Sequence, residues 1–261
     1  MFRFTWIRPS PTANSCILSV HLLVLLPLQH ICHRHTCVIN HSVDPVTDAP
    51  VYQFTHPVEF SFAIPRSVWE NPSPRRLVQY GHGLLYNQNE IYIGWLQSVA
   101  NEYEWVLLAS DWLGMSSEDE PAIVRMISTD CSDFYIIPDR SIQGFVAMIV
   151  IMKAALSTAF VTHPALTRNG TVLIDTDDRV YLGRSQGSVL GGALMALHPF
   201  VERATFGVGG NAYSILLPRA VGFVEFFEIL KTRYTDPLDL IVFVGHKNLL
   251  SHGDKPKPNN D

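Results

Sequence analysis

The residues 180–192, VYLGRSQGSVLGG, hold a serine between two glycines at a spacing suited to covalent chemistry: Gly183-Arg184-Ser185-Gln186-Gly187. A serine hydroxyl becomes a nucleophile when it is displayed on a sharp strand-to-helix turn. The backbone there is strained, so the residues two before and two after it must be small. Arg179 to Leu182 supplies a short strand, and Ser188 to Leu197 reads as a helix with small residues towards a sheet. The N-terminus of that helix would point free N–H groups at the serine, where they favour developing negative charge. The pattern also arises by chance in glycine-bearing loops, and its context decides between the two.

Acyl transfer to such a serine needs two backbone donors for the oxyanion, one from the residue after the nucleophile and one from a loop after an earlier strand. Gln186 supplies the first. RRLVQYGHGLLYNQ, residues 75–88, supplies a strand running into His82-Gly83-Leu84-Leu85, with the Leu84 N–H as the second. Read alone, GHGLL is an ordinary glycine turn with His82 as a structural residue. Paired with the elbow downstream, it becomes a candidate oxyanion loop.

The elements that must position these residues alternate. VEFSFAIP (58–65), RLVQY (76–80), WVLLAS (105–110), RVYLG (179–183) and ATFGVGG (204–210) read as strands. EIYIGWLQSVANEY (90–103) and SIQGFVAMIVIMKAAL (141–156) read as helices, the second long and buried. Alternation predicts an α/β fold: a mostly parallel sheet with helices on both faces and the site at the carboxyl ends of the strands. Asp111, ending a strand in ASDWLG, is expected to shape a turn. GVGGN (207–211) lacks a dinucleotide-loop spacing and is expected to be a turn. PRAVGFVEFFEILKTRY (218–234) is an aromatic helix that packs as core or caps an acyl pocket.

On these residues the chain resembles the α/β-hydrolase fold and, within it, a group of esterase- or lipase-like microbial serine hydrolases. The stretches that carry the resemblance are QYGHGLL (79–85), VLLASDWLGMS (106–116), IPDRSIQG (137–144), YLGRSQGSVLGGALMAL (181–197), YSILLPRAVGF and RYTDPLDL (213–240). The resemblance implies a serine triad acting on carboxylic esters or lipids, with a small-molecule or lipid ester as partner and no cofactor. It supplies no substrate.

The 261 residues are 47% hydrophobic, enough to bury a sizeable core. A net charge of −5 leaves no basic surface for nucleic acid. The reading divides the chain into an N-terminal segment (1–45), the hydrolase domain (46–240) and a divergent tail (241–261). Its oligomeric state is not legible.

CILSVHLLVLLPL (16–28) has the length of a signal-peptide core after Arg3 and Arg8, and is interrupted by His21 and Pro27 as a membrane span would not be. No A-x-A-like cleavage site follows, so secretion, a misplaced start and an internal hydrophobic segment all stay open. His30, Cys32, His33, His35 and Cys37 form one crowded cluster without the second ligand pair of a structural zinc site, and no metal is expected. An exported chain could form a Cys32–Cys37 disulfide, although four cysteines allow several pairings, and could be glycosylated at Asn169-Gly170-Thr171.

The resemblance implies the order serine, acid, histidine. After RYTDPLDL it stops, and IVFVGHKNLLSHGDKPKPNND takes over. LIVFVG reads as the acid-bearing strand, yet His246, Lys247 or Asn248 stands where an aspartate belongs. His252 is the candidate base, with Asp254 beside it. The expectation is a chain that stops before the last two strands, with acid and histidine not evident. Loss of one triad member lowers the rate by on the order of 10⁴-fold. The competing reading is an inactive member of the fold that keeps the pocket and binds without turnover.

Overall fold

The structure, a computed structural model, describes residues 58–129, 131, 134, 136–210, 216 and 219–232, and the backbone of 2–7 and 15–22. Among the described residues, seven strands form one sheet in the order β1-β2-β3-β5-β4-β8-β9. These are β1 (Phe2–Ile7), β2 (Ser15–Leu22), β3 (Phe60–Pro65), β4 (Arg75–Gly81), β5 (Val106–Ser110), β8 (Ile174–Arg184) and β9 (Ala204–Gly207). The strands that carry the site, β5-β4-β8-β9, are parallel, as alternation predicts, while β1, β2 and β3 continue the sheet as antiparallel neighbours. A two-stranded hairpin, β6 (Thr167–Arg168) and β7 (Thr171–Val172), turns through Asn169 and Gly170, both at positive φ.

Strand alternation assigns each side chain to a face. In β5, Val106 and Leu108 join a cluster with Phe62, Leu77, Tyr181 and the helix α4 (Ile136–Ala155), and Leu194 of α6 (Gln186–Leu197) completes that side. Leu107 and Ala109 face the other way, against Val78, Tyr80 and α2 (Gly94–Glu102). Helices α1 (Arg66–Glu70), α3 (Glu120–Thr129), α5 (Thr158–Val161) and α7 (Val224–Lys231) complete the described set. Phe223 and Leu230 pack with Met126 and Ile127 of α3, so the aromatic segment expected at 218–234 contributes core.

Several boundaries differ from the sequence reading for local reasons. The helix expected over 90–103 is divided at Ile93, whose ψ of 144° is extended; a 3-10 turn, Gln88–Tyr92, precedes it and α2 follows. Helix α4 starts a turn earlier than expected and runs through Pro138, which the first turn tolerates because its N–H groups have no intrahelical partner. β8 begins at Ile174, ahead of the expected Arg179. Its register against β4 jumps between Arg76 and Leu77, and there Asp178 accepts from Arg76 at 2.9 Å and Arg203 at 2.6 Å. The apolar run 16–28 contributes β2, which pairs along β3. The tail 241–261 and the His30–Cys37 cluster lie outside the described residues.

Candidate functional site

β8 ends at Arg184 and α6 begins at Gln186, so the reversal falls on Ser185 alone, at φ 53° and ψ −116°. A non-glycine residue at positive φ stores on the order of 1–3 kcal/mol, and the surroundings must hold it there. Here the Ser185 N–H donates to the Gly207 carbonyl at 2.9 Å, and the Ser185 carbonyl accepts from Ser188 and Val189 at 2.9 and 3.1 Å. The Ser188 hydroxyl lies 2.6 and 2.7 Å from the Gly183 and Gly207 carbonyl oxygens, tying strand ends to the helix. The glycines are required by close approach. A Cβ on Gly183 would sit 2.3 Å from the Gly187 carbonyl oxygen, and one on Gly187 would sit 2.1 Å from that of Gly81. Ser185 is half-buried, and among the described residues its Oγ makes no hydrogen bond.

The loop after β4 is clamped by its neighbours. His82 is fully buried; its Nε2 accepts the Trp112 N–H at 2.9 Å, which leaves Nδ1 to carry the proton and donate to the Gly83 carbonyl at 2.9 Å. Burial pushes its pKa down to about 4, so the ring is neutral and both nitrogens are occupied. The Gly83 N–H donates to Glu90 at 2.7 Å, and the Leu85 N–H donates to Gln186 Oε1 at 3.3 Å. The Leu84 N–H has no hydrogen-bond partner among the described residues. The Leu84 side chain packs towards Phe223 and Phe226.

Beyond the backbone donor expected of it, Gln186 acts through its side chain. Its buried side chain accepts from Leu85 and donates from Nε2 to the Met115 carbonyl at 2.7 Å, joining the elbow to the loop at 82–85 and to the loop after β5. Arg184 pairs with Glu90 and lies 5.8 Å from the Trp95 ring centroid. Asp111 takes the turn-shaping part expected of it, accepting the Gln88 N–H at 2.6 Å at the start of the 3-10 turn; burial pushes its pKa up to about 6. Glu90, the Gln186 side chain and Met115 are absent from the sequence reading. The one local signal is a lone carboxylate in NQNEIYIGW, in an otherwise polar-uncharged and apolar run.

The other histidines whose side chains are described, His163 and His198, are bound elsewhere. His198 ends α6, its Nε2 donating to Gln79 Oε1 at 3.1 Å and its Nδ1 accepting the Phe200 N–H at 3.1 Å; burial first, then Arg179, pushes its pKa down to about 4. His163 caps a short turn at Pro164–Leu166, accepting the Ala165 N–H. His252 lies outside the described residues. Among the described residues no group of three His, Cys, Asp or Glu could hold a metal, and no helix is long and apolar enough to cross a membrane.

A sheet whose β5-β4-β8-β9 strands are parallel, with helices on both faces and a strained serine between the carboxyl end of a strand and the N-terminus of the next helix, has the α/β-hydrolase fold. No family model matches the chain, and no curated protein matches it by sequence. Among solved structures it is similar to acetyl xylan esterase 1 from Thermoanaerobacterium sp. JW/SL YS485, at 12% identity over 94% of this chain and 66% of that one, with a TM-score of 0.46. It is similar also to the acetyl xylan esterase from Paenibacillus sp. R4, at 14% identity over 96% and 69% of the two chains, TM-score 0.47. A cold-adapted esterase from an Arctic intertidal metagenomic library gives 20% identity over 57% and 54%, TM-score 0.35. The chain spans about two thirds of the length of the two acetyl xylan esterases.

Proposed function

We propose that the protein is a serine hydrolase of carboxylic esters, with small-molecule or lipid esters as substrates and no cofactor. The observation that carries the reading is Ser185 at φ 53°, held between two glycines that admit no side chain. Strain of that kind persists where the surroundings over-determine it, and it is characteristic of sites that must display a group. Ser185 Oγ attacks the ester carbonyl. The oxyanion is received by the N–H groups of Leu84 and Gln186, one left without a described partner by its loop and the other in the first turn of α6. The alcohol leaves with a proton, and water then releases the acid and regenerates the serine. His252 is proposed as the base.

Hydrolysis of p-nitrophenyl acetate and longer p-nitrophenyl esters tests this. Turnover above buffer that falls by on the order of 10³-fold or more in Ser185→Ala supports it. Turnover unchanged in that variant overturns it.

The second reading, a pocket that binds an ester-like ligand without turning it over, is favoured by one observation. Both ring nitrogens of His82 and of His198 are committed within the fold. Ligand-dependent thermal stabilisation of wild type and Ser185→Ala alike, without hydrolysis by either, is the outcome that reading expects.

A further inference from the structure

We propose that Glu90 is a positioning residue for the reaction, holding Gly83 so that the Leu84 N–H faces the oxyanion. The inference rests on the assignment of Ser185 and Leu84 above and deepens it.

Gly83 is the pliable joint in front of the Leu84 donor, and it is held on both sides. Its N–H donates to Glu90 Oε2 at 2.7 Å. Its carbonyl, part of the same peptide group as the Leu84 N–H, accepts from His82 Nδ1 at 2.9 Å and from the Tyr86 N–H at 3.2 Å. In a planar trans peptide the N–H points opposite to the carbonyl, so bonds that fix the Gly83 carbonyl also aim the Leu84 N–H. His82 and Tyr86 fix that plane, and Glu90 fixes the peptide before it. A Cβ built on Gly83 would meet only the two Glu90 carboxylate oxygens, at 3.7 and 3.8 Å, so the carboxylate lies directly over the joint.

Glu90 is itself anchored. It is 3% exposed and sits on the 3-10 turn whose first N–H is bound by Asp111. Its other oxygen pairs with Arg184, the residue immediately before the nucleophile. A carboxylate taken out of water is costly unless it is paired and fully bonded. This one is bonded to the two segments whose relative placement sets the distance from Ser185 to the Leu84 donor. Mispositioning a catalytic group by about 1 Å costs roughly 10²-fold in rate.

The test compares kcat, KM and the thermal midpoint for Ser185-dependent hydrolysis of p-nitrophenyl acetate. Glu90→Leu, which removes the acceptor, is expected to lower kcat by about 10²-fold with KM within about threefold. Glu90→Gln, which keeps a carbonyl for the Gly83 N–H, is expected to recover kcat to within about tenfold of wild type. The pair Glu90→Leu with Arg184→Leu removes both members of the ion pair and keeps the test open if Glu90→Leu does not fold; its kcat stays low because the Gly83 N–H still lacks its acceptor. A double variant with wild-type kcat, or Glu90→Gln as slow as Glu90→Leu, overturns the proposal while leaving Ser185 as nucleophile. A wild-type protein without Ser185-dependent turnover overturns both.

Discussion

The backbone N–H of Leu85 donates to the side-chain carbonyl of Gln186 at 3.3 Å, joining residues 101 positions apart. That bond, with the one from Gln186 to the Met115 carbonyl, makes the residue after Ser185 a brace between the two loops that border it. Gln186→Leu leaves the Leu85 N–H and the Met115 carbonyl unpaired in a buried place. It is expected to destabilise the fold by about 1–3 kcal/mol. Urea unfolding with an unchanged m-value and a lowered midpoint is the expected measurement.

Glycines along α6 separate by what a side chain would meet. Gly187→Ala drives a Cβ to 2.1 Å from the Gly81 carbonyl oxygen, a clash with backbone that no rotamer relieves. Its expected outcome is loss of cooperative unfolding or a midpoint far below wild type. Gly192→Ala meets nothing within 4 Å on the same helix. It is expected to stabilise by about 0.5–1 kcal/mol, through helix propensity alone. Thermal midpoints of the two variants check both statements.

Strain at Ser185 predicts a trade between stability and chemistry. Glycine occupies positive φ readily and alanine does not. Both Ser185→Gly and Ser185→Ala lose the hydroxyl, but Ser185→Gly is expected to be more stable than Ser185→Ala by on the order of 1 kcal/mol. Equal denaturation midpoints for the two would show that the backbone at 185 relaxes once the hydroxyl is gone.

Acid lability follows from the buried histidines. His82 and His198 bind protons only near pH 4 in the folded protein, against an ordinary value of 6.5. The unfolded chain therefore takes up protons that the folded one refuses, and the stability they confer is complete above pH 6.5 and declines as pH falls towards 4. Asp111 acts oppositely: its pKa rises from 3.8 to about 6, so its contribution is present below pH 3.8 and lost as pH rises through 6. The two histidines outweigh the single carboxylate, and stability should fall between pH 6.5 and 4. His82→Asn is expected to lower stability at pH 7 and to remove about one proton from the slope of unfolding free energy against pH. Denaturant titrations at closely spaced pH values read that slope.

What was legible in the sequence was local. The strands around Val78, Leu108 and Tyr181 announce themselves as runs of branched and aromatic residues, and the Gly183-to-Gly187 spacing specifies the turn because its steric demand is contained in five residues. β2 was not legible as a strand: CILSVHLLVLLPL has no alternation, and what makes Ser15–Leu22 a strand is its pairing with β3. The break in the helix at Ile93 was equally hidden, because the 3-10 turn before it is started by Asp111, far off in the chain. The same reasoning separates Leu84 from Glu90. Leu84 follows a readable His-Gly turn, whereas Glu90 and Arg184 are 94 positions apart, and neither carries a sign of the other.

The central claim is that Ser185 is a nucleophile, and a fluorophosphonate probe asks this directly, since it reacts with activated serines whatever the acyl chain of the substrate. The account predicts a single phosphonylated peptide containing Ser185 in the folded wild-type protein, absent after heat denaturation and absent in Ser185→Ala. Folded wild-type protein that stays unlabelled, or labelling that persists in Ser185→Ala, would contradict it.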